Sequence, residues 1–208
     1  MSLRVVNLGL PKTGTTTLAR ALRRSGMRVA DHRIRAKQTD TIELHGAYVA
    51  DLLYAGYFKT GDPAAYLTGF DAISEMSVLR EGRSLWPQMD FALIDAIRQH
   101  HPDVKFLASS RDPFALSQSM LAWSDLGTAR LPAANVPGLP ESYGETSAER
   151  MRWIDGHYAN LRAFFRDDDG FLEYDVADIA ARDLISGFLE TPINWWGKAN
   201  VNKLIEIA

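Results

Sequence analysis

The sequence of 208 residues contains no cysteine, and this absence removes several classes of chemistry. The chain has no disulfide, no thiolate metal ligand and no cysteine nucleophile. An excess of positive charge is missing as well, because 23 lysines and arginines stand against 26 acidic residues and leave a net charge of -3. General DNA- or RNA-binding domains normally carry a basic excess, so the composition predicts no nucleic-acid partner.

Long apolar runs are also absent. No stretch approaches the roughly 20 apolar residues of a membrane-spanning helix, and the first eight residues lack the apolar core of a signal peptide. We therefore expect no membrane insertion and a cytoplasmic location. Hydrophobic residues make up 46% and charged residues 24% of the chain, which are ordinary globular values. The length predicts a single domain over residues 1–208 with an insertion.

Short apolar runs alternate with helical patterns along the chain, which is typical of an α/β fold with a central parallel sheet flanked by helices. The predicted strands are 5–8, 27–30, 70–74, 104–108 and 171–174. Apolar residues at helical spacing predict helices over 89–97, 151–165 and 181–189. Asp112 before Pro113, and Thr146 with Glu149, are typical of helix starts.

A glycine loop follows the first predicted strand, and residues 9–17 read Gly-Leu-Pro-Lys-Thr-Gly-Thr-Thr-Thr. A strand, a tight turn and a helix form the context that a phosphate-binding loop requires. Glycines let backbone N–H groups converge on an anion, and the helix N-terminus adds partial positive charge. Four hydroxyls crowd the same place, those of Thr13, Thr15, Thr16 and Thr17.

The loop departs from the nucleoside-triphosphate pattern G-x-x-x-x-G-K-[ST]. Gly9 and Gly14 have its spacing, but Thr15 occupies the lysine position, and Lys12 precedes the second glycine. Lys12 would then meet a bridging oxygen rather than the β- and γ-phosphates, which disfavours ATP or GTP as the ligand. A P-loop nucleotide or small-molecule kinase stays an alternative, as does a non-catalytic nucleotide-binding protein of the same fold.

Residues 11–16 resemble the 5′-phosphosulfate loop of the sulfotransferases that use 3′-phosphoadenosine 5′-phosphosulfate (PAPS), whose pattern is P-K-[ST]-G-T-[TS]. In that family an arginine at a strand end and a serine eight residues later hold the 3′-phosphate, and Arg111 and Ser119 match this spacing. The alternative is that Arg111 pairs with a local acid. The resemblance implies a P-loop-like three-layer sandwich, with PAPS as sulfuryl donor and adenosine 3′,5′-bisphosphate (PAP) as product. It assigns donor-binding roles to Pro11, Lys12, Thr13, Gly14, Thr15, Thr16, Thr17, Arg111 and Ser119.

The C-terminal loop 194–202 lies where family members often close the nucleotide pocket with basic residues and glycine. The resemblance therefore implies donor contacts from Gly197 and Lys198. Trp195 or Trp196 could cover the adenine, and packing of an aromatic tail is the alternative.

The resemblance also implies the catalytic residues of a sulfuryl transfer. Lys12 would stabilise the bridging oxygen. Glu75, at the end of a strand where the family commonly places a glutamate, aspartate or histidine, would act as general base, with a pKa raised by burial and lowered by Lys12. The alternative is an exposed glutamate that merely ends a strand. The reaction needs no metal, and no His/Asp/Glu cluster has ligand spacing.

The acceptor is expected to be a hydroxyl or amine of a small molecule or glycan. Two variable segments, about 40–70 and 126–145, are the expected acceptor side. The second of them contains Pro132, Pro137 and Pro140 and is predicted to be a long loop over 126–144.

Overall fold

The computed structural model describes residues 3–199, and within them it contains seven strands and six α-helices. The strands are β1 (Val5–Asn7), β2 (Val29–Asp31), β3 (Ala72–Glu75), β4 (Val78–Arg80), β5 (Arg83–Leu85), β6 (Lys105–Ser110) and β7 (Phe171–Asp175). The helices are α1 (Thr15–Arg24), α2 (Val49–Thr60), α3 (Phe91–His100), α4 (Pro113–Leu121), α5 (Ser147–Phe164) and α6 (Ala181–Phe188). Short 3-10 turns cover Ala36–Gln38, Ile42–Leu44 and Pro87–Met89, and a π-helical turn covers Leu126–Arg130.

Five strands form one parallel sheet in the order β2-β3-β1-β6-β7, and β4 with β5 forms a separate antiparallel hairpin. β1 lies at the centre, where Val5 pairs with Ala72 of β3 on one side and with Lys105 of β6 on the other. Non-sequential parallel neighbours require crossover connections, and the helices supply them. The parallel sheet flanked by helices is therefore confirmed.

Both faces of the sheet are covered, because alternate residues of each strand point to opposite sides. Val5 and Leu107 pack with α1 and α6 in one core cluster. Val6 and Phe106 belong to the larger core on the other face, together with buried residues of α2, α3, α4 and α5. Helices, sheet and helices thus form the three layers of the predicted sandwich.

The predicted helix starts are formed as the sequence indicates. The Asp112 carboxylate accepts a hydrogen bond from the Ala115 amide at 2.8 Å, and Pro113 opens α4. Thr146 and Glu149 form a reciprocal capping box at the start of α5. Each cap satisfies backbone N–H groups that have no acceptor within the helix. None of the helices within residues 3–199 combines the length and apolar character needed to cross a membrane.

The segment predicted as a long loop is more ordered than expected. Its first five residues form the π-helical turn. Leu131, Val136 and Leu139 are buried in the larger core, and Val136 and Leu139 pair with each other across a tight turn. The prolines end regular structure, but the leucines and the valine next to them are anchored by burial.

Candidate active site

The candidate site lies where three adjacent parallel strands end. β3, β1 and β6 are neighbours in the sheet, so their carboxyl ends meet at one edge. Glu75 is the last residue of β3, the glycine loop follows β1, and Arg111 follows β6. In open α/β sheets, ligands bind outside the carboxyl ends of the strands. The topology therefore brings together motifs that lie about a hundred residues apart in sequence.

Two glycines determine the path of the loop between β1 and α1. Gly14, the N-cap of α1, has a φ of 87°, and a Cβ there would overlap the Val176 side chain. Gly9 passes so close to Ser109 that a Cβ would overlap its side chain and carbonyl oxygen. The backbone of the loop is consequently held tightly against β6, and Lys12 itself has a φ of 77°.

Asn7 ties the end of β1 to both neighbouring strands, a role that the sequence reasoning missed. Its Nδ2 donates to the Ser74 carbonyl at 2.9 Å and to the Ser109 hydroxyl at 3.1 Å. Its Oδ1 accepts from the amides of Ser109 and Gly9, at 3.0 and 3.4 Å. The signal in the sequence is one amide side chain between Val6 and Leu8, in a strand that is otherwise buried and apolar.

Helix α5 holds the same loop from the other side. The buried His157 has its Nε2 2.8 Å from the Leu8 carbonyl oxygen. Burial lowers the pKa of His157 to about 4, so the neutral ring donates this bond at physiological pH. The Tyr158 hydroxyl donates to the Ser109 carbonyl at 2.7 Å and accepts from the Leu10 amide at 3.4 Å. The sequence reasoning assigned neither residue a role.

The threonines of the loop face different ways. Thr13 is fully buried, and its hydroxyl donates to the Leu10 carbonyl at 2.6 Å and lies 2.8 Å from the Ser109 hydroxyl. Thr13 therefore shapes the loop rather than presenting its hydroxyl to a ligand. The Thr16 side chain is half-buried and has no hydrogen-bond partner within residues 3–199, so its hydroxyl is available to a ligand. Pro11 is also half-buried.

The first turn of α1 presents free backbone donors. The Leu18 amide donates to the Gly14 carbonyl at 3.0 Å, so the amides that precede it have no acceptor inside the helix. No acidic residue lies in this turn. The helix start therefore retains its partial positive charge and is suited to an anion.

Lys12 and Arg111 place two positive charges beside this helix start. Both side chains are half-buried, and within residues 3–199 neither forms an ion pair with an acidic residue. Burial, and then the nearby Arg111, lower the pKa of Lys12 to about 8. Two neighbouring cations without a compensating acid indicate a site for an anion. The alternative, in which Arg111 pairs with a local acid, is not found among residues 3–199.

Ser119 lies on α4, the helix that begins just after Arg111. Its side chain is 9% exposed, and no hydrogen bond to the described part of the chain engages its hydroxyl. The Ser119 oxygen is not among the buried polar atoms that lack a partner, so it keeps access to solvent. The hydroxyl is therefore available to a ligand.

The C-terminal segment reaches the glycine loop, although not through its basic residue. The Thr17 hydroxyl donates to the Gly197 carbonyl at 3.1 Å, which fixes this segment beside the first turn of α1. Lys198 is exposed. Residues 200–202 of the predicted pocket-closing loop lie outside the described residues.

The two tryptophans of this segment pack against the protein. The guanidinium groups of Arg20 and Arg24 lie 5.2 and 5.1 Å from the Trp195 ring centroid. Trp196 meets the buried Tyr174 edge-on, with centroids 6.0 Å apart. These contacts agree with the alternative in which the two tryptophans pack against the protein rather than cover the adenine.

Glu75 is buried, so the alternative of an exposed glutamate at a strand end is wrong. One carboxylate oxygen accepts from the Ser77 amide at 2.9 Å and from the Ser77 hydroxyl at 2.6 Å. The pKa of Glu75 is raised to about 7, because burial and, more weakly, Asp31 raise it more than the Ser77 hydrogen bonds and the nearby Thr15 hydroxyl lower it. From the sequence, Lys12 is expected to lower the pKa of Glu75. In the structure these hydroxyl and amide donors lower it, and Lys12 is not among the causes.

A model of the sulfotransferase domain matches residues 4–129 of the chain. The match runs from β1 through α4 and includes the glycine loop, Glu75, Arg111 and Ser119. The chain belongs to the sulfotransferase family, and it is accordingly a transferase with an α/β three-layer fold. A search of curated proteins found no match.

Proposed function

We propose that this protein transfers a sulfuryl group from PAPS to a hydroxyl or amine of a small molecule or glycan. The observation that carries the proposal is the pair formed by Lys12 and Arg111. Both cations lie beside the start of α1 without an acidic partner in the described residues. PAPS is anionic at two ends, its 5′-phosphosulfate and its 3′-phosphate, and so matches two separate cationic contacts.

The residues present fit such a donor. Lys12, the free amides at the start of α1 and the hydroxyls of Thr15 and Thr16 would bind the 5′-phosphosulfate. Arg111 offers a planar fork of donors suited to phosphate, and with the unpartnered Ser119 hydroxyl it would bind the 3′-phosphate. Gly197, fixed beside α1 by Thr17, would border the same pocket, with Lys198 at its rim.

The transfer requires in-line positioning and stabilisation of the leaving oxygen. The acceptor oxygen or nitrogen forms a bond to sulfur while the bond from sulfur to the bridging oxygen of the 5′-phosphate breaks. The bridging oxygen carries the electron pair away on PAP, and the Lys12 ammonium stabilises this developing charge. These residues supply the positive charge without a metal ion.

Glu75 would take the proton that the acceptor loses. A general base works best when its pKa lies near the working pH, and burial brings the pKa of Glu75 to about 7. The carboxylate lies at the end of β3, next to the strand that leads into the glycine loop.

The acceptor would approach from the two segments 40–70 and 126–145. A cavity of about 690 Å³ lies between α3, α5 and the proline-rich segment. Its apolar lining includes Met89, Phe91, Leu139, Tyr143 and Trp153. A cavity of this size is ordinary for a small-molecule site. Of the two acceptor segments only 126–145 lines it, and neither Lys12 nor Glu75 does, so the cavity supports a role for the second segment alone.

The proposal is tested by incubating the protein with sulfur-35-labelled PAPS and a panel of alcohols, phenols, amines and glycans. We expect label transfer to at least one acceptor class without added metal. Lys12→Ala should lower the rate by about a hundredfold or more, because it removes the cation at the leaving oxygen. The exposed Lys37→Ala, outside both acceptor segments and the donor site, is the matched control and should retain full activity. Transfer of phosphate from ATP with magnesium, and of no sulfuryl group, would instead favour the kinase alternative.

A further inference from the structure

An aromatic side chain that no motif singled out lies directly against Lys12. The Lys12 Nζ lies 3.6 Å from the centroid of the Trp123 ring, well within the range of a cation–π contact. Trp123 is 41% exposed, so the ring that covers the ammonium also remains partly open to solvent. This is the shortest of the cation–ring distances in residues 3–199.

The backbone around Trp123 is anchored by hydrogen bonds on both sides of the residue. Trp123 lies two residues beyond the end of α4, and its amide donates to the Met120 carbonyl at 3.3 Å. Its carbonyl accepts from the amide of Leu126, which is buried in the larger core. Ser124, with a φ of 50°, turns the chain away immediately afterwards.

Lys12 needs such a partner because its surroundings oppose its charge. Half of the side chain is withdrawn from solvent, and Arg111 is the charged group that acts on it among the described residues. Burial and a neighbouring cation both favour the neutral amine. The negative face of an indole ring favours the ammonium, and it is the partner that the structure provides.

We propose that Trp123 is a positioning residue whose ring face holds the Lys12 ammonium charged and in place at the glycine loop before the sulfuryl donor binds. A carboxylate in this position would neutralise Lys12 and compete with the anionic donor. An aromatic ring stabilises the cation and leaves its charge available. The consequence for catalysis rests on the proposed function, whereas the contact itself can be tested without any ligand.

The test is the titration of Lys12 by NMR. The six lysines of the chain are labelled with carbon-13, and the Lys12 signal is assigned by its loss in Lys12→Met. We expect Trp123→Leu, which keeps an apolar side chain but has no ring face, to lower the titration midpoint of Lys12 by about half a unit. Trp123→Phe should retain most of the wild-type midpoint, and Phe114→Leu, an exposed aromatic on α4, should leave it unchanged.

A second measurement keeps the shape of the ring intact. Replacing tryptophan biosynthetically by fluorinated tryptophans weakens the negative ring face with little change in size, so the Lys12 midpoint should fall as fluorination increases. PAP affinity at pH 8 should fall about threefold in Trp123→Leu, measured by calorimetry. An unchanged Lys12 midpoint in both Trp123→Leu and the fluorinated protein overturns the proposal. Failure of PAP to bind wild-type protein while the midpoint shifts contradicts only the proposed function.

Discussion

Glu75 shows how the environment of a single residue gives it a chemical role. An ordinary glutamate is ionised well below neutral pH, but burial raises the pKa of this one to about 7. The two Ser77 hydrogen bonds hold one carboxylate oxygen in place. The side chain is therefore both oriented and able to exchange a proton under physiological conditions.

This raised pKa predicts a pH-dependent stability that Glu75→Gln should remove. A carboxyl whose folded pKa is raised from 4.5 to about 7 contributes stability below the unfolded pKa and loses it as pH rises through the folded pKa. Between pH 4.5 and 8 the wild type should lose about 3 kcal/mol relative to Glu75→Gln. Urea unfolding at a series of pH values measures this difference.

The exposed Glu43→Gln is the control and should follow the pH profile of the wild type. Parallel profiles for the wild type and Glu75→Gln would show that the carboxyl has an ordinary pKa. Glu75 would then lose the property that suits it to act as a base near neutral pH.

At the level of secondary-structure elements, α5 supports a loop that lies far from it in sequence. His157 and Tyr158 contact the backbone of residues 8–10. The glycine loop is thus fixed by β6 below and by α5 at the side, which reduces the ordering that an incoming anion would require.

His157→Phe tests this support. The substitution keeps a buried ring but removes the donor to the Leu8 carbonyl, and an unpaired buried carbonyl costs about 1–3 kcal/mol. We expect the free energy of unfolding to fall by that amount and PAP affinity to fall as well, because the loop is less well ordered. Denaturant unfolding and calorimetry measure the two effects.

Asn160→Ala, an exposed position on the same helix, is the matched control. Equal stability and equal PAP affinity for His157→Phe and Asn160→Ala would contradict a supporting role of α5.

The elements differ in how far the sequence could predict them. The five strands of the sheet and the caps of α4 and α5 follow from apolar runs and local capping residues. α2 was not predicted, because its pattern of apolar residues is unclear. Its buried residues are Val49, Ala50, Leu53 and Gly56, and three aromatic side chains interrupt the face that would otherwise be polar. The hairpin of β4 and β5 was missed because three-residue strands carry too little periodicity.

The candidate site was predictable where residues act through local motifs and unpredictable where they act across the fold. Lys12 and Gly14 follow from the loop pattern, and Arg111 and Ser119 from the spacing that the family resemblance implies; their donor-binding roles stay predictions. Thr13 was expected to face the donor, yet its position between β1 and β6 turns its hydroxyl inward. The contacts of Asn7, Trp123 and His157 depend on which elements become neighbours, and no pattern within one segment contains that information.

At the scale of the whole molecule, the sheet order decides which charges meet. β1 and β6 are separated by about a hundred residues in sequence but are adjacent in space, with no strand between them. Lys12 and Arg111 consequently lie close enough for one to lower the pKa of the other. The two positive charges repel each other, and an anion that binds between or beside them compensates this repulsion by its attraction to both.

The most direct test of this account is calorimetric titration with PAP in the presence of EDTA. We predict binding without magnesium, weakened about tenfold or more by Lys12→Ala and by Arg111→Ala, since each removes charge-assisted hydrogen bonds to the ligand. Lys37→Ala should bind as the wild type does. Binding of ATP with magnesium but not of PAP, or full PAP affinity in both Lys12→Ala and Arg111→Ala, would contradict the account.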